Sequence, residues 1–78
     1  MRKVMIYLDS IDTVKSFVNS VNSFNSDFDI ISAHHEIDAK SIMGVLSLDL
    51  QHPLQLIIHN DDPEILKGLK PYIVEKID

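Results

Sequence analysis

Apolar and polar residues alternate along this chain with two different periods, and each change of period marks an element boundary. Val4, Ile6 and Leu8 alternate with Met5 and Tyr7. That period of two predicts a strand at about residues 3–8. Asp9 and Ser10 close it and offer a helix cap. From Asp12 the period lengthens. Val14, Phe17, Val18 and Val21 share one helical face, continued by Phe24, while Lys15, Ser16, Asn19, Ser20 and Asn22 face away. This pattern predicts an amphipathic helix at about 11–24, ended by the Asn25-Ser26-Asp27 turn. Phe28 and Ile30 alternate with Asp27 and Asp29, which predicts a second strand near 27–33. His34-His35 lies in or beside a turn, and His35 to Asp38 reads as a weak third strand. The apolar stretch after Ser41 is too short for more than two helical turns, and Gln51-His52-Pro53 breaks it. In a fourth strand Leu54, Leu56 and Ile58 point one way and Gln55, Ile57 and His59 the other. Asp62-Pro63-Glu64 then supplies a cap, a proline at the first helical position and an acid at the positive dipole end. Ile65, Leu66, Leu69, Tyr72 and Ile73 share a face of this last helix, but Pro71 removes an interior hydrogen bond. The helix therefore kinks at Pro71 or stops near Leu69.

The order β-α-β-β-α-β-α, with strands apolar on one side, predicts an antiparallel α+β domain with its helices on one face of the sheet. At 78 residues the chain forms a single domain, 1–78, with a small core. There is no cysteine, so neither a disulfide nor a thiolate metal site can support it, a composition compatible with a reducing cytoplasm. No apolar run approaches the roughly 20 residues of a membrane span. The opening MRKVMIYLDS holds only a five-residue apolar run, too short for a signal peptide. These features predict a soluble, cytoplasmic protein with no membrane association. The net charge is −5, and Arg2, Lys3, Lys15, Lys40, Lys67, Lys70 and Lys76 form no basic stripe, which argues against nucleic acid as a partner.

One segment stands apart, Lys40-Ser41-Ile42-Met43-Gly44-Val45-Leu46-Ser47-Leu48. Ser41 can cap a short helix through its hydroxyl. Ile42, Val45 and Leu46 can form one buried face, being three and four apart. Met43 and part of Ile42 are then left outside as an apolar patch, unless all four pack into the core.

This run resembles the KSIMG motif of the HPr family, the histidine-containing phosphocarriers of the bacterial sugar phosphotransferase system. The order of elements and the chain length are similar to the family's as well. The resemblance implies an open-faced β-sandwich, with a four-stranded antiparallel sheet and three helices on one face. It also implies that Ser41 is a regulatory phosphosite for a dedicated serine kinase. Ile42, Met43 and Leu46, extended by Lys15 and Phe17 of the first helix, would be the surface that docks on enzymes and regulators. A phosphoserine adds roughly −1.5 to −2 charge at pH 7, which a helix N-terminus favours, and Lys40 adjoins the site.

The family's carrier chemistry runs through a histidine in a His-Ala-Arg-Pro-Ala run that opens the first helix. An imidazole is nucleophilic near neutral pH and passes a phosphoryl group on readily. In the present chain that loop reads Asp9-Ser10-Ile11-Asp12-Thr13-Val14, and the first histidine is His34. Aligned on the strand end, the loop is about three residues shorter than the family's, with Asp12 in place of the arginine and Thr13 in place of the proline. The resemblance therefore implies a family member without the phosphorylatable histidine: not an enzyme, without a cofactor, a regulatory module that binds other proteins such as a serine kinase or a transcriptional or metabolic regulator. Three other readings stay open. One is a phosphocarrier with a different acceptor, such as Ser10 or a later histidine. Another is a metal- or small-ligand-binding domain using His34, His35 and Glu36, although no pair has the helical i, i+4 spacing that makes zinc binding specific. The last is a remnant domain with only a structural or oligomeric role, its apolar Ile42–Leu48 segment buried in a homodimer.

Overall fold

The computed structural model describes residues 1–76. Its elements follow the change of period closely: β1 (Arg2–Ile6), α1 (Ile11–Asn22), β2 (Phe28–Ser32), β3 (His35–Asp38), α2 (Ile42–Leu46), β4 (Leu54–Ile58), α3 (Pro63–Leu69) and β5 (Ile73–Lys76). β1 ends two residues earlier than the alternation suggested, because Tyr7 and Leu8 already lead into the loop. α1 stops at Asn22, where Ser23 caps it through its backbone N–H to Ser20 and Val21.

The strands form one antiparallel sheet in the order β3-β2-β4-β1-β5. β1 pairs β4 from Arg2–Ile58 to Ile6–Leu54, and β2 pairs β4 from Phe28–Ile58 to Ile31–Gln55. This register puts Val4, Ile6, Phe28, Ile30, Leu54, Leu56 and Ile58 on the helix side, all buried. Val14, Phe17, Val18 and Val21 of α1 and Ile65 and Leu69 of α3 close over them. Three helices on one face of an antiparallel sheet make an α+β open-faced sandwich, as the pattern predicted.

The sheet has a fifth strand where four were expected. Tyr72 and Ile73 share the helical period of Leu69, yet the helix ends at Leu69 and Ile73 opens β5 instead. Pro71 has no N–H to continue the ladder, which ends the helix. Tyr72 then turns inward: its N–H donates to the Leu69 carbonyl at 2.9 Å, and its own carbonyl accepts from Tyr7 at 3.0 Å. The β-branched pair Ile73-Val74 suits an extended conformation. β5 lies along β1, with a bulge between Met5 and Ile6, and covers what would otherwise be the free β1 edge. Inside, the Tyr72 ring meets Phe17 edge-on at 5.4 Å and 82°, and its hydroxyl pairs with Ser16 Oγ at 2.5 Å.

The hairpin between β2 and β3 carries one backbone constraint. Ala33 has φ 55°, a left-handed conformation that costs an L-residue about 1–2 kcal/mol. Glycine adopts it freely, at the expense of a more flexible unfolded chain. Ala33→Gly is therefore expected to stabilise the domain by about 0.5 kcal/mol, read as a higher urea midpoint at unchanged slope.

Candidate functional site

α2 is held in place by contacts on three sides. Asn22, at the end of α1, donates to the Lys40 carbonyl at 3.1 Å and to Val18 at 2.8 Å. The Lys40 ammonium donates to the Phe24 carbonyl at 3.0 Å and lies 5.8 Å from the centre of the Phe28 ring. Gly44 faces β3 so closely that a Cβ there would sit 2.8 Å from Ile37 Cγ2. The helix can approach the hairpin this tightly only because the residue is glycine.

Within that frame Ser41 is the cap. Its Oγ accepts from the Gly44 N–H at 3.2 Å, and the residue is exposed. Val45 is fully buried and Ile42 is half-buried. Met43 is 76% exposed and Leu46 36%. The buried face of α2 is thus Ile42 and Val45. Leu46, which the spacing had also allowed inside, joins Met43 three residues away on the outer face. Lys15 is exposed on α1.

Phe17 is corrected. As a docking residue it would have to be accessible, but it is 0% exposed and seated against Tyr72. It lies three residues from Val14 and four from Val21, on the core stripe of α1, so no partner can reach it. Lys40 is also revised as a companion to Ser41, because its ammonium is engaged at the C-terminal end of α1.

The N-terminus of α1 is the second place of interest. Ser10 Oγ accepts from the Thr13 N–H at 3.1 Å and pairs with Thr13 Oγ1 at 2.9 Å. Thr13 Oγ1 in turn donates to Asp9 Oδ1 at 2.6 Å. An open groove here is lined by Tyr7, Asp9, Asp12, Ser16, Tyr72 and Val74 among others. Two carboxylates border it, and among the described residues that line it there is no histidine or basic residue.

The four histidines stay apart from this groove. His34 and His35 are exposed at the β2–β3 hairpin, and His52 is exposed in the loop before β4. His59 Nε2 lies 2.7 Å from Asp29 Oδ2, a pair the sequence reading did not anticipate. It arises from the register of β2 against β4, which strand alternation alone does not fix. Among the described residues no group of three or more His, Asp or Glu is arranged to hold a metal ion. Asp61, before α3, has its carboxyl held below the usual carboxylate range, first by the hydrogen bond from the N-terminal ammonium and then by that group's charge. No helix among the described residues is long and apolar enough to cross a membrane.

Comparison with known proteins agrees with this architecture. No curated protein matches the chain. The family model described as the phosphotransferase system HPr component phosphorylation site matches residues 13–73. The crystal structure of HPr-C-His from Thermoanaerobacter tengcongensis superposes with a TM-score of 0.76, is 25% identical, and is covered over 89% of its length by 91% of this chain. Matched over most of its length by the family model and carrying the same arrangement of helices on sheet, the chain belongs to the HPr family of the phosphotransferase system.

Proposed function

We propose that this chain is a non-carrier member of its family, a cytoplasmic regulatory module without enzymatic activity that binds other proteins through the surface around Ser41. The observation that carries this reading is Met43, 76% exposed on a helix whose opposite face is fixed in the core by Val45. Leu46, 36% exposed, lies three residues away on the same face, so the two form a contiguous apolar patch rather than a lone exposed side chain, and such patches mark interaction sites. Met43 and Leu46 form the centre of the surface, Ile42 its inner border and Lys15 its extension on α1.

Ser41 regulates this surface. Its hydroxyl is exposed at a helix start, within reach of a kinase. A phosphoryl group there adds negative charge directly beside the apolar centre. The Lys40 ammonium is engaged with Phe24, so that charge is presented outward rather than neutralised. Phosphorylation thereby weakens partners that need the patch dry and favours partners that offer Arg or Lys.

The α1 end does not act as a phosphoryl acceptor in this reading. Residues 9–13 hold no histidine, and an incoming phosphate would face Asp9 and Asp12. Each like-charge encounter near 4 Å costs about 1 kcal/mol even in water. The Ser10 hydroxyl is occupied as a cap.

Incubation with the general phosphotransferase enzyme and labelled phosphoenolpyruvate is expected to give no acid-labile histidine phosphate. ATP and the family's serine kinase are expected to give an acid-stable label that Ser41→Ala removes. Label on any histidine would refute the non-carrier reading, and a kinase-treated protein without serine label would remove Ser41 from the mechanism.

A further inference from the structure

The face of the sheet away from the helices departs from simple alternation. Ile30-Ile31 in β2 and Ile57-Ile58 in β4 are consecutive aliphatics, so one of each pair must point outward. The register arranges the outward positions in rows. One row runs Glu36, Ile31, Gln55, Met5, Glu75 across β3, β2, β4, β1 and β5. The next runs Asp38, Asp29, Ile57, Lys3 across the first four of those strands. The first row sets Ile31 and Met5 on either side of Gln55 between terminal glutamates, and the second sets Ile57 between Asp29 and Lys3, so the three aliphatic side chains surround Gln55 with charges outside them. Met5, Ile31 and Ile57 are half-buried by their neighbours, and the charged ends are mainly carboxylates. An apolar centre within a polar rim is the anatomy of a protein interface, whereas the wet face of an antiparallel sheet is ordinarily polar throughout. Beside the first row, Met5, Ile31 and Gln55 also border an open concavity of about 520 Å³ that Asp49, His52 and Pro53 help to line. A side chain from a partner fits there.

We infer that this outer sheet face is a second docking surface, for a protein segment that presents aliphatic side chains flanked by Lys or Arg. Charge selects the occupant. Glu36, Asp38, Asp29 and Glu75 oppose Lys3 alone among the charged ends of the two rows, and His59 beside Asp29 adds a cation only when protonated. Nucleic acid and anionic lipid are repelled by such a rim, and a second copy laid face to face would set acid against acid. Glu36 and Glu75 stand four strand spacings apart, about 19 Å, which sets the separation of the basic groups they would receive. With α2 on the opposite layer, the domain can hold two proteins at once. The inference is independent of the role given to Ser41.

The test uses the full chain, labelled with nitrogen-15, and two synthetic amphipathic helices that share a leucine face, one flanked by arginine and the other by glutamate. Amide shifts with the arginine peptide are expected at Met5, Ile31, Gln55 and Ile57, with affinity falling as salt rises. The glutamate peptide is expected to bind at least about tenfold more weakly, since opposed charges also act against wrong partners. Glu36→Lys with Glu75→Lys, both at exposed positions, is expected to reverse that preference, while Glu64→Lys, the same charge change at an exposed position on α3, leaves it unchanged. A melting curve verifies that the charge-swapped variant is folded. Equal binding of the two peptides, shifts confined to α2, binding of anionic vesicles, or self-association in light scattering would each overturn the inference.

Discussion

Phe17→Ala is expected to remove about 3–5 kcal/mol of folding stability, the range for deleting a fully buried aromatic ring. Folded domains have about 5–15 kcal/mol in total, and one of this size has less core to draw on than most, so the variant should be largely unfolded well below the wild-type melting temperature. The expected loss is large because the ring supports more than its own area. Its edge-on contact with Tyr72, at 5.4 Å and 82°, adds about 0.5–1.5 kcal/mol beyond burial. Tyr72 in turn joins three elements: its hydroxyl reaches Ser16 on α1, its N–H the end of α3, and its carbonyl receives Tyr7 after β1. Removing Phe17 loosens the residue from which β5 departs. Urea unfolding followed by circular dichroism measures the effect, with Phe17→Leu as a milder control expected to cost less than half as much. A loss below about 1 kcal/mol for the alanine variant would mean that the ring is not seated in the core as described. The same experiment separates packing from docking, because a surface Phe17 would affect binding and leave stability unchanged.

That outcome bears on what could be read from residues alone. The period of three and four that places Phe17 beside Val14, Val18 and Val21 already assigns it to the core. Its extension into a docking surface came from the family resemblance, and the helix geometry overrides it. Strand alternation located β1 to β4 within a few residues because each has one side against the helices and one side in water. β5 was hidden for a physical reason. Tyr72 and Ile73 fit the helical period of Leu69, and whether a proline ends or bends a helix depends on what the next residues can pair with. In this chain the unpaired edge of β1 is available, and no local pattern announces it. The α2 segment was legible in part. Its cap and Val45 follow from spacing, whereas the outward position of Leu46 depends on how close Gly44 lets the helix approach Ile37. Across the sheet, the rows that bring Ile31, Gln55 and Met5 together require the register, which five short strands do not reveal until they are paired.

On α2, Met43 and Val45 are two residues apart and should answer opposite questions. Val45→Ala deletes two methyl groups from a fully buried position and is expected to cost about 2 kcal/mol of stability, in line with other truncations in tight cores. Met43→Lys changes a side chain that is 76% exposed, so its effect on stability should stay within about 0.5 kcal/mol. Its effect on binding should be the larger one. A flexible thioether at the centre of a docking patch fills an irregular pocket, and replacing it with an ammonium leaves a charge to be desolvated there. Central positions of this kind typically lose 2 kcal/mol or more, about a thirtyfold rise in Kd. The measurement begins with affinity capture from the source cells and identification of the captured protein. Titration of that purified partner against wild type, Met43→Lys and Val45→Ala follows. Under the proposed reading the lysine variant melts with the wild type but binds at least about tenfold more weakly, and Ser41 phosphorylation changes the same affinity. Val45→Ala melts earlier, yet retains near-normal binding at temperatures where it is folded. Unchanged binding by Met43→Lys would show that the exposed α2 face is not where this partner docks, and the outer sheet face would then be the surface to disable next.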